Sequence, residues 1–168
     1  AVVRAVGSPQ VADAASQDLS ARRRWASLVA LTLPVLLISL DNTVLGFAVP
    51  KLSESLEPTS SQLLWVVDVY SFVLSGLLVT MGNVGDRIGR RRLLLIGAAA
   101  FSLASIGAAF APNAEVLIGA RALLGFAGAT LMPSTLSLIR NIFVEPMQRQ
   151  FAVAVWSAMF AVGGALGP

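Results

Sequence analysis

Gly82-Asn83-Val84-Gly85-Asp86-Arg87-Ile88-Gly89-Arg90-Arg91-Arg92 is wedged between two long apolar runs. A connection this short, glycine-rich and basic has a specific meaning there. Glycine adopts the backbone conformations that a tight turn demands. Arginines gathered in a short loop beside an apolar run hold that loop on the cytoplasmic side of a membrane. The stretch predicts a tight turn between two membrane helices. A phosphate-cradling loop is the other reading of such glycines. That reading needs a preceding strand, and the pattern shows none.

The composition agrees with a membrane setting. The chain has 168 residues, 56% of them hydrophobic and 12% charged. A soluble domain carries about twice that charge. The apolar residues fall in blocks that approach the ~20 residues needed to cross a bilayer. The net charge of +3 comes from arginines beside these blocks, so topology explains it better than nucleic acid does. There is no cysteine and no histidine, which excludes disulfides, thiolate metal sites and cysteine nucleophiles. Proton chemistry near neutral pH then falls to carboxylates. No nucleophile–base set or metal cluster is visible, so an enzyme, a cofactor and a bound metal are not expected.

The pattern predicts an all-α polytopic membrane protein. Residues 1–21 are polar and aperiodic and read as a disordered cytoplasmic tail. Arg22, Arg23 and Arg24 followed by an apolar run could open a signal peptide, but the run is too long and lacks a small-residue cleavage site. Spans are predicted over about 25–49, 62–81, 93–110, 115–139 and 151–168, the last cut short at Pro168. With the N-terminus inside, the inner segments hold ten basic residues and the outer loops only Lys51. Small residues at Gly97, Ala100, Ala104 and Gly107 or Ala108, at Gly125 and Gly128, and at Gly163 and Gly167 suit close helix packing.

Three ionisable residues fall inside spans: Asp41, Asp68 and Arg121. Each costs ~3 kcal/mol near a helix centre, so such residues face a polar interior and mark function. Counting helix rise from the span ends places all three roughly 9–14 Å below the outer surface, in one layer where their charges can compensate. Ser71 and Ser75 share the face of Asp68 at i+3 and i+7, which predicts a cavity-lining stripe. A static Asp41–Arg121 ion pair that only fixes packing is the alternative to a proton-exchanging one.

Gly82, Asp86, Arg87, Gly89, Arg90 and Arg91 fill the pattern G-x-x-x-D-R-x-G-R-[RK]. This resembles the signature loop between the second and third spans of major facilitator superfamily transporters. Leu40-Asp41-Asn42-Thr43-Val44 with Ala48-Val49-Pro50 is similar to the first-span motif of the fourteen-span drug:proton antiporter branch. Trp65-Val66-Val67-Asp68-Val69-Tyr70 is similar to the second span of its quaternary-ammonium and ethidium exporters. Arg121 to Ala129 resembles the fourth-span motif R-x-x-Q-G-x-G-A, with Leu124 in place of the Gln, so a polar partner for Arg121 is lost. Gly163-Gly164-Ala165-Leu166-Gly167-Pro168 resembles the start of the fifth-span antiporter motif.

The resemblance implies proton-driven export of lipophilic cations such as quaternary ammonium compounds and dyes across the cell membrane. It implies proton or cation sites at Asp41 and Asp68, tuned by Arg121. The Gly82–Arg91 loop would latch against a second half of the transporter through Asp86 and the arginines. Gly163, Gly167 and Pro168 would bias the protein toward antiport. This family has two six-helix halves, so the segment reads as an N-terminal part lacking its C-terminal partner. A truncated non-transporting membrane protein or assembly partner, and a proton-coupled nutrient importer of the same superfamily, are the alternatives.

Overall fold

The computed structural model describes the backbone of residues 9–166 and the side chains of residues 21–166. Among these residues the chain forms five helices: α1 (Pro9–Leu56), α2 (Ser60–Ile88), α3 (Arg90–Ala109), α4 (Ala114–Ile142) and α5 (Pro146–Leu166). All five are long and apolar enough to cross a membrane, which agrees with the expected all-α class.

The helices run past several predicted ends. Within the expected disordered tail of residues 1–21, α1 already begins at Pro9. Proline suits a first helical position, and no further proline or glycine interrupts the run before Pro34. The rest of that tail lies outside the described residues. At its other end α1 passes Pro50 and stops at Leu56. Glu57 then adopts a left-handed φ of 43° ahead of Pro58. Thr59 caps α2 through a reciprocal box with Gln62.

The predicted loop over Gly82–Arg92 shrinks to one residue. Helix α2 continues through Gly82, Asp86 and Arg87 to Ile88, and α3 starts at Arg90. Only Gly89 leaves the helical conformation, at φ 99°, a value that L side chains rarely adopt. Gly85 serves the turn differently. A Cβ there would lie 3.0 Å from Arg90 Cδ and 3.2 Å from Leu93 Cδ2. Its absence lets Arg90 fold back to pair with Asp86 at 2.6 Å. Gly82 faces open space, so the turn itself does not demand it.

At the α4–α5 connection the chain needs three residues. Arg149 holds that turn by donating to the carbonyls of Phe143 and Val144, at 3.0 and 2.8 Å. Trp25 of α1 packs on Phe143 and Phe151, with ring centroids 5.2 and 5.7 Å away. One end of the bundle thus gathers the arginines of α1, of the α2–α3 turn and of the α4–α5 turn. We call it the basic end.

Helix α4 is the centre of the bundle; 56% of its span is buried, against 33% or less elsewhere. Glycines bring its neighbours close. A Cβ on Gly125 would stand 2.6 Å from the Tyr70 carbonyl of α2. One on Gly97 of α3 would strike the Thr130 hydroxyl of α4. Helix α5 seats Gly163 against Ser39 of α1, and the Ser39 hydroxyl donates to the Phe160 carbonyl at 2.7 Å. Of the expected alternatives at the end of α3, Gly107 faces open space, and Ala108 packs against the core. Gly167 and Pro168 lie outside the described residues. Large apolar side chains such as Val29, Leu33, Phe47, Leu95, Leu103 and Phe110 cover the periphery. The chain is a multi-pass membrane segment.

Candidate functional site

The site forms where α1, α2 and α4 meet, on the half of the bundle away from the basic end. Asn113 caps α4 by accepting from the Val116 amide at 2.9 Å. Two turns later α4 carries Arg121, which is 2% exposed. A guanidinium so deep in an apolar span needs partners, because an uncompensated buried charge is costly.

Arg121 has three. Its Nη1 donates to Asp41 Oδ2 of α1 at 2.6 Å. Its Nε donates to the Val66 carbonyl of α2 at 3.2 Å. Its Cζ stands 4.5 Å from the centroid of the Tyr70 ring, also on α2. Val66 and Tyr70 lie one turn apart, so the edge and the face of the guanidinium meet the same side of one helix. These contacts take the place of the polar partner that Leu124 does not supply. Leu124 is itself buried, in the apolar cluster around Tyr70, Ile38 and Phe101.

Glycines of α4 shape the Tyr70 seat. Gly125 admits the Tyr70 backbone, and Gly128 admits its ring; a Cβ at Gly128 would stand 3.3 Å from the Tyr70 hydroxyl. That hydroxyl is buried and makes no hydrogen bond. The sequence reading quoted Tyr70 only as part of a motif and missed its place in the site. As the single tyrosine of the chain, set one turn from Val66 in an apolar strip, it was the available signal.

Asp68 departs from the expected layer of three compensating charges. It matches in depth but not in direction. It lies two positions before Tyr70, which is about 200° around a helix. Tyr70 faces α4, and Asp68 is exposed on the opposite face. Among the described residues it joins no salt bridge. It lines a shallow groove of about 210 Å³ with Ser61, Leu64, Trp65 and Phe72. Ser71 and Ser75 share this open face, and the Ser75 hydroxyl turns back to the Ser71 carbonyl at 2.7 Å.

A second groove of about 250 Å³ reaches the ion pair from between α1, α3 and α4. Val44, Ala48 and Leu52 of α1 form one wall, and Ala108, Leu117 and Leu124 form the other. The Asp41–Arg121 pair is therefore not sealed on that side. At the basic end, Asp86 is 66% exposed even while paired with Arg90. Arg87 and Arg91 are exposed beside it.

Comparison with known proteins bears on all of these positions. The chain is 61% identical over 146 residues to the multidrug efflux pump LfrA of Mycolicibacterium smegmatis, covering 87% of this chain and 29% of that protein. It is 43% identical over 146 residues to the methyl viologen resistance protein SmvA of Salmonella typhimurium, covering 87% of this chain and 30% of that protein. It is 40% identical over 141 residues to a methylenomycin A resistance protein of Streptomyces coelicolor, covering 84% and 30%. The chain thus spans less than a third of the length of the curated relatives it matches. The Major Facilitator Superfamily model matches residues 31–168, which takes in Asp41, Asp68, Arg121 and the Gly89 turn, and the chain belongs to that family as the first five transmembrane helices of its fold.

Proposed function

We propose that the protein carrying this chain is a proton-coupled exporter of lipophilic cationic drugs, in the fourteen-span branch of its superfamily. The observation that carries the reading is the division between two carboxylates in one membrane layer. Asp41 is locked to a buried arginine. Asp68 stands apart on an apolar face between aromatic side chains. The names of its relatives, a multidrug efflux pump and a methyl viologen resistance protein, support export of this class.

Each carboxylate suits one half of an exchange. Asp41 takes the proton: ionised it holds Arg121, and neutral it releases that bond. Asp68 takes the drug. Trp65 and Phe72 flank it along one helix face and offer rings to a flat cation. An unpaired carboxylate supplies the charge such a molecule needs in a low-dielectric setting. The basic end faces the cytoplasm in this reading, as the arginine bias requires, so α1 enters the membrane from inside. Asp86, exposed although paired with Arg90, and the exposed Arg87 and Arg91 latch a second helical half across the bundle in this reading. Gly163, by holding α5 on α1, ties the antiport motif to the helix that carries Asp41.

Ethidium efflux from cells expressing the complete gene tests the reading. Efflux is expected to stop when the proton gradient is collapsed, and efflux that continues would sink the proposal. Asp68→Asn is expected to impair export of divalent cations more than monovalent ones. Equal loss for both would remove Asp68 from the substrate site.

A further inference from the structure

Arg121 is held by three contacts, and they respond differently to a proton. The bond to Asp41 weakens when that carboxyl becomes neutral. The Tyr70 ring and the Val66 carbonyl do not titrate in the working range, and both belong to α2. A cation over an aromatic face gains most where water is excluded, and Tyr70 is 2% exposed. The ring is also rigidly placed, with its backbone against Gly125 and its far edge against Gly128.

We propose that Tyr70 is a positioning residue whose ring keeps Arg121 on α2 while Asp41 is neutral, so that a proton frees α1 rather than the arginine. The inference rests on the reading of Asp41 as the proton site. Its structural consequence is selective. Helices α2 and α4 stay joined through Tyr70, Gly125 and Gly128. Helix α1 moves with α5, to which Gly163 and the Ser39–Phe160 bond tie it. The buried hydroxyl has no partner, so the ring face and not the hydroxyl makes the contact with Arg121.

Few other charges can answer a change at Asp41. Helix α4 brings Arg121, with Glu115 about 9 Å from it toward the helix start and Arg140 at the basic end. Helix α2 brings Tyr70, with Asp68 on its opposite face and Asp86 and Arg87 at the basic end. The charged residues of α3 are Arg90, Arg91 and Arg92, and that of α5 is Arg149, all at the basic end. On α1 itself, Lys51 and Glu54 lie about 15 Å or more farther along the helix, and Arg24 still farther in the other direction.

The sign follows. The ring lies over Arg121 with Asp41 ionised as well, so its loss raises both states. It raises the neutral state more, because there no carboxylate shares the guanidinium's charge and one carbonyl is all that is left. The proton then binds less readily, and the midpoint of the pH profile of export moves to lower pH, by roughly half a unit. The test is dye export by the complete protein reconstituted in liposomes, titrated with pH. Tyr70→Phe is expected to keep the wild-type midpoint, and Tyr70→Leu and Tyr70→Met to move it down. An unmoved midpoint in either folded aliphatic variant overturns the proposal. A displaced midpoint in Tyr70→Phe also overturns it, by placing the effect on the hydroxyl, and this arm stands alone if the aliphatic variants do not fold. Asp41→Asn separates the underlying reading. It is expected to lose the pH-dependent limb, and a limb that survives removes Asp41 as the proton site and this proposal with it.

Discussion

Arg121 concentrates the energetics of the site in one side chain. Breaking a buried ion pair from one side costs about 3–5 kcal/mol, because the other charge stays buried alone. Arg121→Leu is therefore expected to lower stability by about 3 kcal/mol, and adding Asp41→Asn should recover part of the loss. Denaturation of the purified variants in detergent, run as a double-mutant cycle, checks this. Strictly additive losses would mean that the 2.6 Å contact carries no coupling. Asp41 and Arg121 were legible in the sequence because ionisable residues inside apolar windows are conspicuous. Their pairing was not, since residue counting gives depth along a helix and not direction around it. The same limit misplaced Asp68, which shares the depth of the pair and faces the other way. Tyr70 escaped notice because a tyrosine in an apolar run reads as packing until its neighbour across the helix is known.

Between helices, single glycines decide how close the elements come, and they are not equivalent. Among the described glycines Gly89 alone has a positive φ, so Gly89→Ala is expected to cost about 1–3 kcal/mol, while Gly82→Ala in open space should be near neutral. Gly125 and Gly128 differ in a similar way. A methyl at Gly125 meets the Tyr70 backbone carbonyl at 2.6 Å, which cannot yield without moving α2. One at Gly128 meets the end of Leu74 at 3.1 Å, which can shift. Gly125→Ala is thus expected to lower the melting temperature clearly more than Gly128→Ala, by the ~1–3 kcal/mol of an overpacked interface. Equal melting temperatures would show that α2 and α4 slide freely. The sequence marked these glycines as a packing set but could not rank them, because rank depends on what stands opposite. The Gly82–Arg92 stretch likewise showed where the chain reverses but not how briefly. Two of its glycines sit inside α2, where the backbone bonds of a membrane helix outweigh their poor helix propensity.

Across the molecule, the distribution of faces is more informative than the count of spans. The periphery of α3 presents Leu95, Leu103 and Ile106, which suit lipid. The open face of α2 presents Asp68, Ser71 and Ser75 among apolar residues. A carboxylate against acyl chains costs ~3 kcal/mol or more, so this face must lie against water or protein in the assembled transporter. The five-span architecture was legible from apolar run length, and the basic end from its arginines. The character of the α2 face was legible only as a serine stripe, since the helix turns that align it with Asp68 also carry Trp65 and Phe72. This chain contains no cysteine, so with any cysteine elsewhere in the complete protein replaced, an introduced thiol reports on its own position. A thiol reacts as its thiolate, which forms only in contact with water. A single cysteine at Ser71 or Ser75 in the complete protein is expected to react with a charged maleimide, and one at Leu95 or Leu103 to stay inert. Bound lipophilic cation should slow the reaction at Ser71, one turn from Asp68, more than at Ser75. Inert cysteines at both serines would place this face against lipid and remove the groove beside Asp68 as a route for a charged molecule.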